Sequence, residues 1–62
     1  MFTRTHLTVA GLSTSVGATD ESPGYYEATE TTAAYVVVDG CFQTEQEVRT
    51  AYRAQFGEPS PI

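Results

Sequence analysis

The chain has 62 residues and a net charge of −5, with one cysteine and one histidine. A single cysteine excludes an internal disulfide, and without any C-x-x-C or H-x-x-x-H spacing a structural zinc ion has no ligand set. A chain this short is one domain near the size where one core barely suffices, so association with itself or a partner is the remaining source of stability.

Core material is thin. Leu, Ile, Val and Phe number 12, near the level of disordered chains, while four tyrosines and seven alanines move the balance back toward an ordered fold. No apolar run reaches the length of a membrane span. Leu7 to Leu12, interrupted by Thr8 and Gly11, is too short and too polar for a secretory h-region. The expected setting is the cytoplasm, or the host cytoplasm if the gene is viral. Lys, Asn and Trp are absent while Ala, Gly, Pro and Arg make up 18 residues, a bias that GC-rich coding produces.

Phe2 to Leu12 alternates loosely, with Leu7 and Val9 on one side and Arg4, His6 and Thr8 on the other, which predicts a first strand over 3–10. Residues 11–24, "GLSTSVGATDESPG", read as a mobile loop, with a short strand around Ser13 to Val16 as the alternative. Tyr25 to Val38 is rich in Tyr, Thr and Val and too long for one strand, so strands are expected at 25–30 and 33–38 with a turn around Glu30-Thr31. A helical start at Ser22-Pro23 is the alternative, opposed by Gly24 and the threonines. Val36-Val37-Val38 is apolar on both faces, which implies a central strand covered by a helix on one side and on the other by something else, such as a second copy of the chain.

Asp39-Gly40 closes that strand, and Thr44 follows as an N-cap with Glu47 three residues later. In such a capping box the threonine hydroxyl accepts the N–H of Glu47 and the Glu47 carboxylate reaches back to the N–H of Thr44. Glu45 and Glu47 suit the first turn, Arg49 and Arg53 the later ones, and Glu45 with Arg49 forms an i,i+4 pair. Gly57 supplies the left-handed stop and Pro59 prevents continuation. Val48, Ala51, Tyr52 and Phe56 make one apolar stripe. The predicted helix covers 45–56, and its carboxylates serve folding and not catalysis. The expected fold class is α+β: a small antiparallel sheet of about three strands with one C-terminal helix packed on one face. A single domain spans 1–57, and 58–62 form a short tail.

Nothing in the sequence assembles a catalytic set. Cys41 lies three residues before the N-cap, beyond the reach of the helix dipole, and reads as a small core residue; His6 reads as a surface residue. No cofactor, metal or catalytic residue is expected, and the chain is not expected to be an enzyme. Charge placement carries more. Thr5 to Val48 holds no Lys or Arg but contains Asp20, Glu21, Glu27, Glu30, Asp39, Glu45 and Glu47. A solvated acidic surface is the plain reading; the functional one is a face that meets a basic protein surface or the nucleic-acid-binding site of another protein. Tyr25, Tyr26, Glu27, Glu30 and Asp39 are the candidate contact residues. Direct binding of nucleic acid is disfavoured because phosphate contact needs more Lys and Arg. A charge-mimicking inhibitor encoded by a phage or mobile element is one form of this function. The alternative is a structural subunit of a homo-oligomer or of a larger assembly such as a virion.

Overall fold

In β1, Arg4–Thr8, the pattern half-buried, buried, half-buried, buried, half-buried has the period of two expected of a strand with one face in a core. The computed structural model describes residues 4–15 and 21–62. It adds β2 at Leu12–Ser15, β3 at Gly24–Tyr26, β4 at Tyr35–Asp39 and a helix, α1, at Glu45–Phe56. The strands form one antiparallel sheet in the order β2-β1-β4-β3, with α1 packed against one face. The α+β architecture is as expected; the strand count is four and not three.

The extra strand comes from the segment read as a loop. Thr8 and Gly11 exchange backbone hydrogen bonds of 3.0 and 3.2 Å, closing a two-residue turn at Val9-Ala10. Gly11 has φ +146°, a region that favours glycine, and no described non-glycine residue has positive φ, so Val9-Ala10 is not a primed hairpin turn. β1 therefore stops at Thr8, and the expected strand face loses Val9, which is 71% exposed. The alternative strand around Ser13 to Val16 corresponds to β2; Val16 itself, like residues 17–20, lies outside the described residues.

β3 is shorter than the expected 25–30. Beyond Tyr26 the chain turns at Glu30-Thr31, as anticipated, but threonine hydroxyls make the turn. Thr29 Oγ1 accepts the N–H groups of Thr31 and Thr32 at 3.3 and 3.1 Å and shares a 2.6 Å bond with Thr32 Oγ1. Side chains that bond their own backbone compete with a ladder, which is why these β-branched residues do not extend the strand.

The register sorts the sheet's two faces. Leu7 pairs with Val36 and Thr5 with Val38, and these face α1; His6 pairs with Val37, and Arg4 with Asp39, on the other face. Leu7, Val36, Val38, Val48 and Tyr52 form the buried cluster, with Leu12, Phe42, Ala51 and Ile62 packed around it. Ile62 thus brings the C-terminal tail back onto the core. Phe56 departs from the expected stripe: it is 37% exposed, and its ring lies against Tyr52 with centroids 4.6 Å apart. It stands one turn beyond Tyr52, the last buried residue of α1.

Phe42 reaches the core over Gly40. A Cβ on Gly40, at φ +125°, would lie 2.8 Å from Phe42 Cζ, so both backbone and ring require glycine there. Thr5, the one buried polar residue described, donates to Gly40 O at 2.7 Å. Cys41 is exposed and is not the small core residue expected, because Phe42 takes the inward position.

Val37 is fully buried, although it faces away from the helix. Its cover comes from its own chain. His6 flanks it on β1 and Gly24 on β3, and the segment starting at Glu21 crosses above it, tied to His6, Tyr35 and Arg4. Val37 is therefore covered within the chain.

Candidate interaction surface

The topology sets the two ends of the sheet apart. Thr8, Tyr26 and Tyr35 share one register row, so the β1–β2 turn and the 27–34 connection emerge at the same end. Gln55 Nε2 donates to Asp39 O at 3.1 Å, which places the last turn of α1 at the opposite end. At its start, Glu45 Oε1 lies 4.0 Å from where a Cβ on Gly11 would be. The first end therefore carries the exposed Glu27, Glu30 and Glu45, and the exposed Val9.

Two ion pairs occur among the described residues, Arg4–Asp39 at 3.1 Å and His6–Glu21 at 2.9 Å. Neither involves Glu27, Glu30 or Glu45. The expected Glu45–Arg49 pair does not form, because Glu45 is turned toward Gly11. Arg4 sits at the far end with Asp39 and Arg53 in the last turn of α1, while Arg49 lies one helical turn from Glu45.

Of the five candidate contact residues, Glu27 and Glu30 lie together at the acidic end. Asp39 does not join them. It is four residues down β4 from Tyr35, about 13 Å at a strand's rise, and is held by Arg4. Tyr25 and Tyr26 point to opposite faces, as neighbours in a strand must. Tyr25 shares the helix side of the sheet with Val36 and is 42% exposed, whereas Tyr26 is half-buried on the other side. The Tyr26 ring stacks on Tyr35, with centroids 5.0 Å apart and planes 11° from parallel, and its hydroxyl donates to Ser22 O at 2.6 Å.

Glu21, which no sequence motif marks, organises the face opposite the helix. Its Oε1 accepts from the Tyr35 hydroxyl at 2.9 Å, its Oε2 pairs with His6 Nε2, and its carbonyl accepts from Arg4. His6 meets Tyr35 edge-on at 5.7 Å. His6 is thus a half-buried, hydrogen-bonded residue and not the surface residue expected. An open depression of about 420 Å³ lies beside this group, lined by Thr8, Ser13, Thr32 and Ala33 in addition to His6, Glu21 and Tyr35. The hydrogen bond to Glu21 raises the Tyr35 pKa above its ordinary 10.0, with loss of solvation and the Glu21 charge adding to it. Burial above all, then the charges of Glu58 and Tyr25, raise that of Tyr52.

Among the described residues, no group of three or more His, Cys, Asp or Glu side chains converges as a metal site, and no helix is long and apolar enough to cross a membrane. Comparison with models of known families, with curated proteins and with solved structures returns no match.

Proposed function

We propose that this chain is a small acidic, non-enzymatic interaction module that presents the Glu27–Glu30–Glu45 end of its sheet to a basic surface of a macromolecular partner. The observation that carries this reading is the separation of charge: three exposed carboxylates share one end with no ion pair to any of them among the described residues, while Arg4 and Arg53 lie at the other end. Such an arrangement leaves like-charge repulsion in the free chain that Lys or Arg of a partner relieves. A small acidic chain seated on a basic surface blocks what that surface otherwise binds, so inhibition by charge mimicry is the direct form of the function. His6, Glu21 and Tyr35 bond to one another over Val37, which gives these residues a structural role. The structural-subunit alternative draws on the thin core and on the two-faced valine strand; with Val37 covered by its own chain, the thin core alone supports it.

The test is association kinetics against a partner captured from the source cell. Glu27→Lys/Glu30→Lys should slow association by about tenfold or more at low salt, with the gap closing above about 0.15 M, where the Debye length is near 8 Å. Glu58→Lys, away from this end, is the control and should change little. Equal on-rates for the parent and the double variant would end the proposal.

A further inference from the structure

We infer that the outer face of α1 is a second docking surface, suited to an acidic segment that carries apolar side chains. Arg49 and Arg53 stand one turn apart on the same side of the helix, a spacing that sets their Cβ atoms about 5–6 Å apart. Neither has an ion-pair partner among the described residues, although Glu45 precedes Arg49 by one turn. They line a groove of about 240 Å³ with Gln46, Thr50, Pro59 and Ser60, the tail forming its far wall. Across Gln46 and Thr50, which border both, lies a trough of about 410 Å³ lined also by Phe42, Ala51, Ala54 and Glu47, whose carboxylate accepts the N–H of Gln43.

The two depressions define the ligand between them. Guanidinium forks match the geometry of a carboxylate and bind it more strongly than neutral donors do. The dipole accounts for the sign of Arg53, in the last turn of α1, but not for that of Arg49, which stands one turn after the helix start. A bare inorganic anion fills only the groove, and an apolar ligand only the trough. A peptide with carboxylates flanking a leucine-like side chain fits both, with its carboxylates on Arg49 and Arg53 and its side chain over Ala51 and Ala54. The chain's own acidic end is a possible source of carboxylates from a second copy, which the experiment separates.

The probe is a blocked Glu-Leu-Glu-Glu-Leu-Glu peptide, titrated into the isotope-labelled full chain and followed by NMR. Saturable shifts are expected at Gln46, Arg49, Thr50, Arg53 and Ala54, and Arg49→Gln/Arg53→Gln should weaken binding by about tenfold or more. Arg49→Lys/Arg53→Lys, which keeps the charge and loses the fork, should fall between the two. An unchanged thermal melt confirms that the variants fold; should the Gln pair fail to fold, the Lys pair alone decides, since parent-like affinity there overturns the inference. A Ser-for-Leu peptide that binds equally well, or phosphate that gives the same shifts at the same concentration, overturns it as well. So does self-association of the parent that the Gln pair abolishes, because the occupant is then a second copy.

Discussion

Thr44 Oγ1 accepts the backbone N–H of Glu47 at 3.2 Å, while the Glu47 carboxylate reaches past Thr44 to accept the N–H of Gln43 at 3.1 Å. The box is thus one residue wider on its return side than the sequence pattern implies. Thr44 has extended φ/ψ of −132° and 156°, as an N-cap must. Because its hydroxyl satisfies one otherwise free helical donor, Thr44→Ala should cost about 1 kcal/mol in a denaturant titration. An unchanged midpoint would mean that water replaces the cap without loss.

Tyr52 and Phe56 divide the helix stripe unequally. Tyr52 is 3% exposed within the cluster of Leu7, Val36, Val38 and Val48, so Tyr52→Ala should cost roughly 3–5 kcal/mol, enough to unfold much of so small a domain. Phe56, more than a third exposed, contributes mainly through its ring contact, and Phe56→Ala should cost about 1 kcal/mol. Melting curves of the two variants give the comparison, and similar losses would place Phe56 in the core after all.

Local signals carried the helix. Thr44, Glu47, Gly57 and the Val48–Tyr52 spacing act within a few residues of one another, and α1 runs over the span they mark. Gly57 at φ +76° donates its N–H to Arg53 O, as its position predicts. The sheet was legible where β-branched residues meet long-range partners, in β4, and less so where it depends on pairing alone. β2 has the composition of a loop and becomes a strand because β1 offers it an edge. Gly40 was readable as a turn residue, but the Phe42 ring that also requires it was not, since that contact depends on how the chain folds back.

The candidate face was legible in part. Glu27 and Glu30 needed only to be exposed, whereas grouping Tyr25 with Tyr26 overlooked the alternation of a strand. Tyr26 is packed on Tyr35, so Tyr26→Ala should lower stability by about 1 kcal/mol or more and not act on a partner's dissociation alone. Tyr25→Ala, by contrast, removes an exposed ring and should change the melting temperature little. If Tyr25→Ala is the more damaging to stability, the register of β3 is shifted by one residue.

Glu21 holds the Tyr35 hydroxyl at 2.9 Å, and this bond makes stability depend on alkaline pH. An ionised Tyr35 cannot donate and sets a second negative oxygen against the carboxylate, which is why its pKa lies above 10.0 in the folded chain. Unfolding releases the pair and returns the pKa to its ordinary value. From that value upward the unfolded chain binds fewer protons at this position than the folded one, so the contribution is fully present below about pH 10 and is lost as pH rises through the folded pKa. Tyr52, raised chiefly by burial, acts with the same sign. Denaturant midpoints measured from about pH 8 to 11 should therefore fall at the alkaline end. Tyr35→Phe should start from a lower midpoint at neutral pH, having lost the hydrogen bond, and fall less steeply; Glu21→Gln should flatten the curve in the same way by removing the charge. Equal alkaline losses in the parent and in Tyr35→Phe would show that the Glu21 bond does not tie down the segment over Val37.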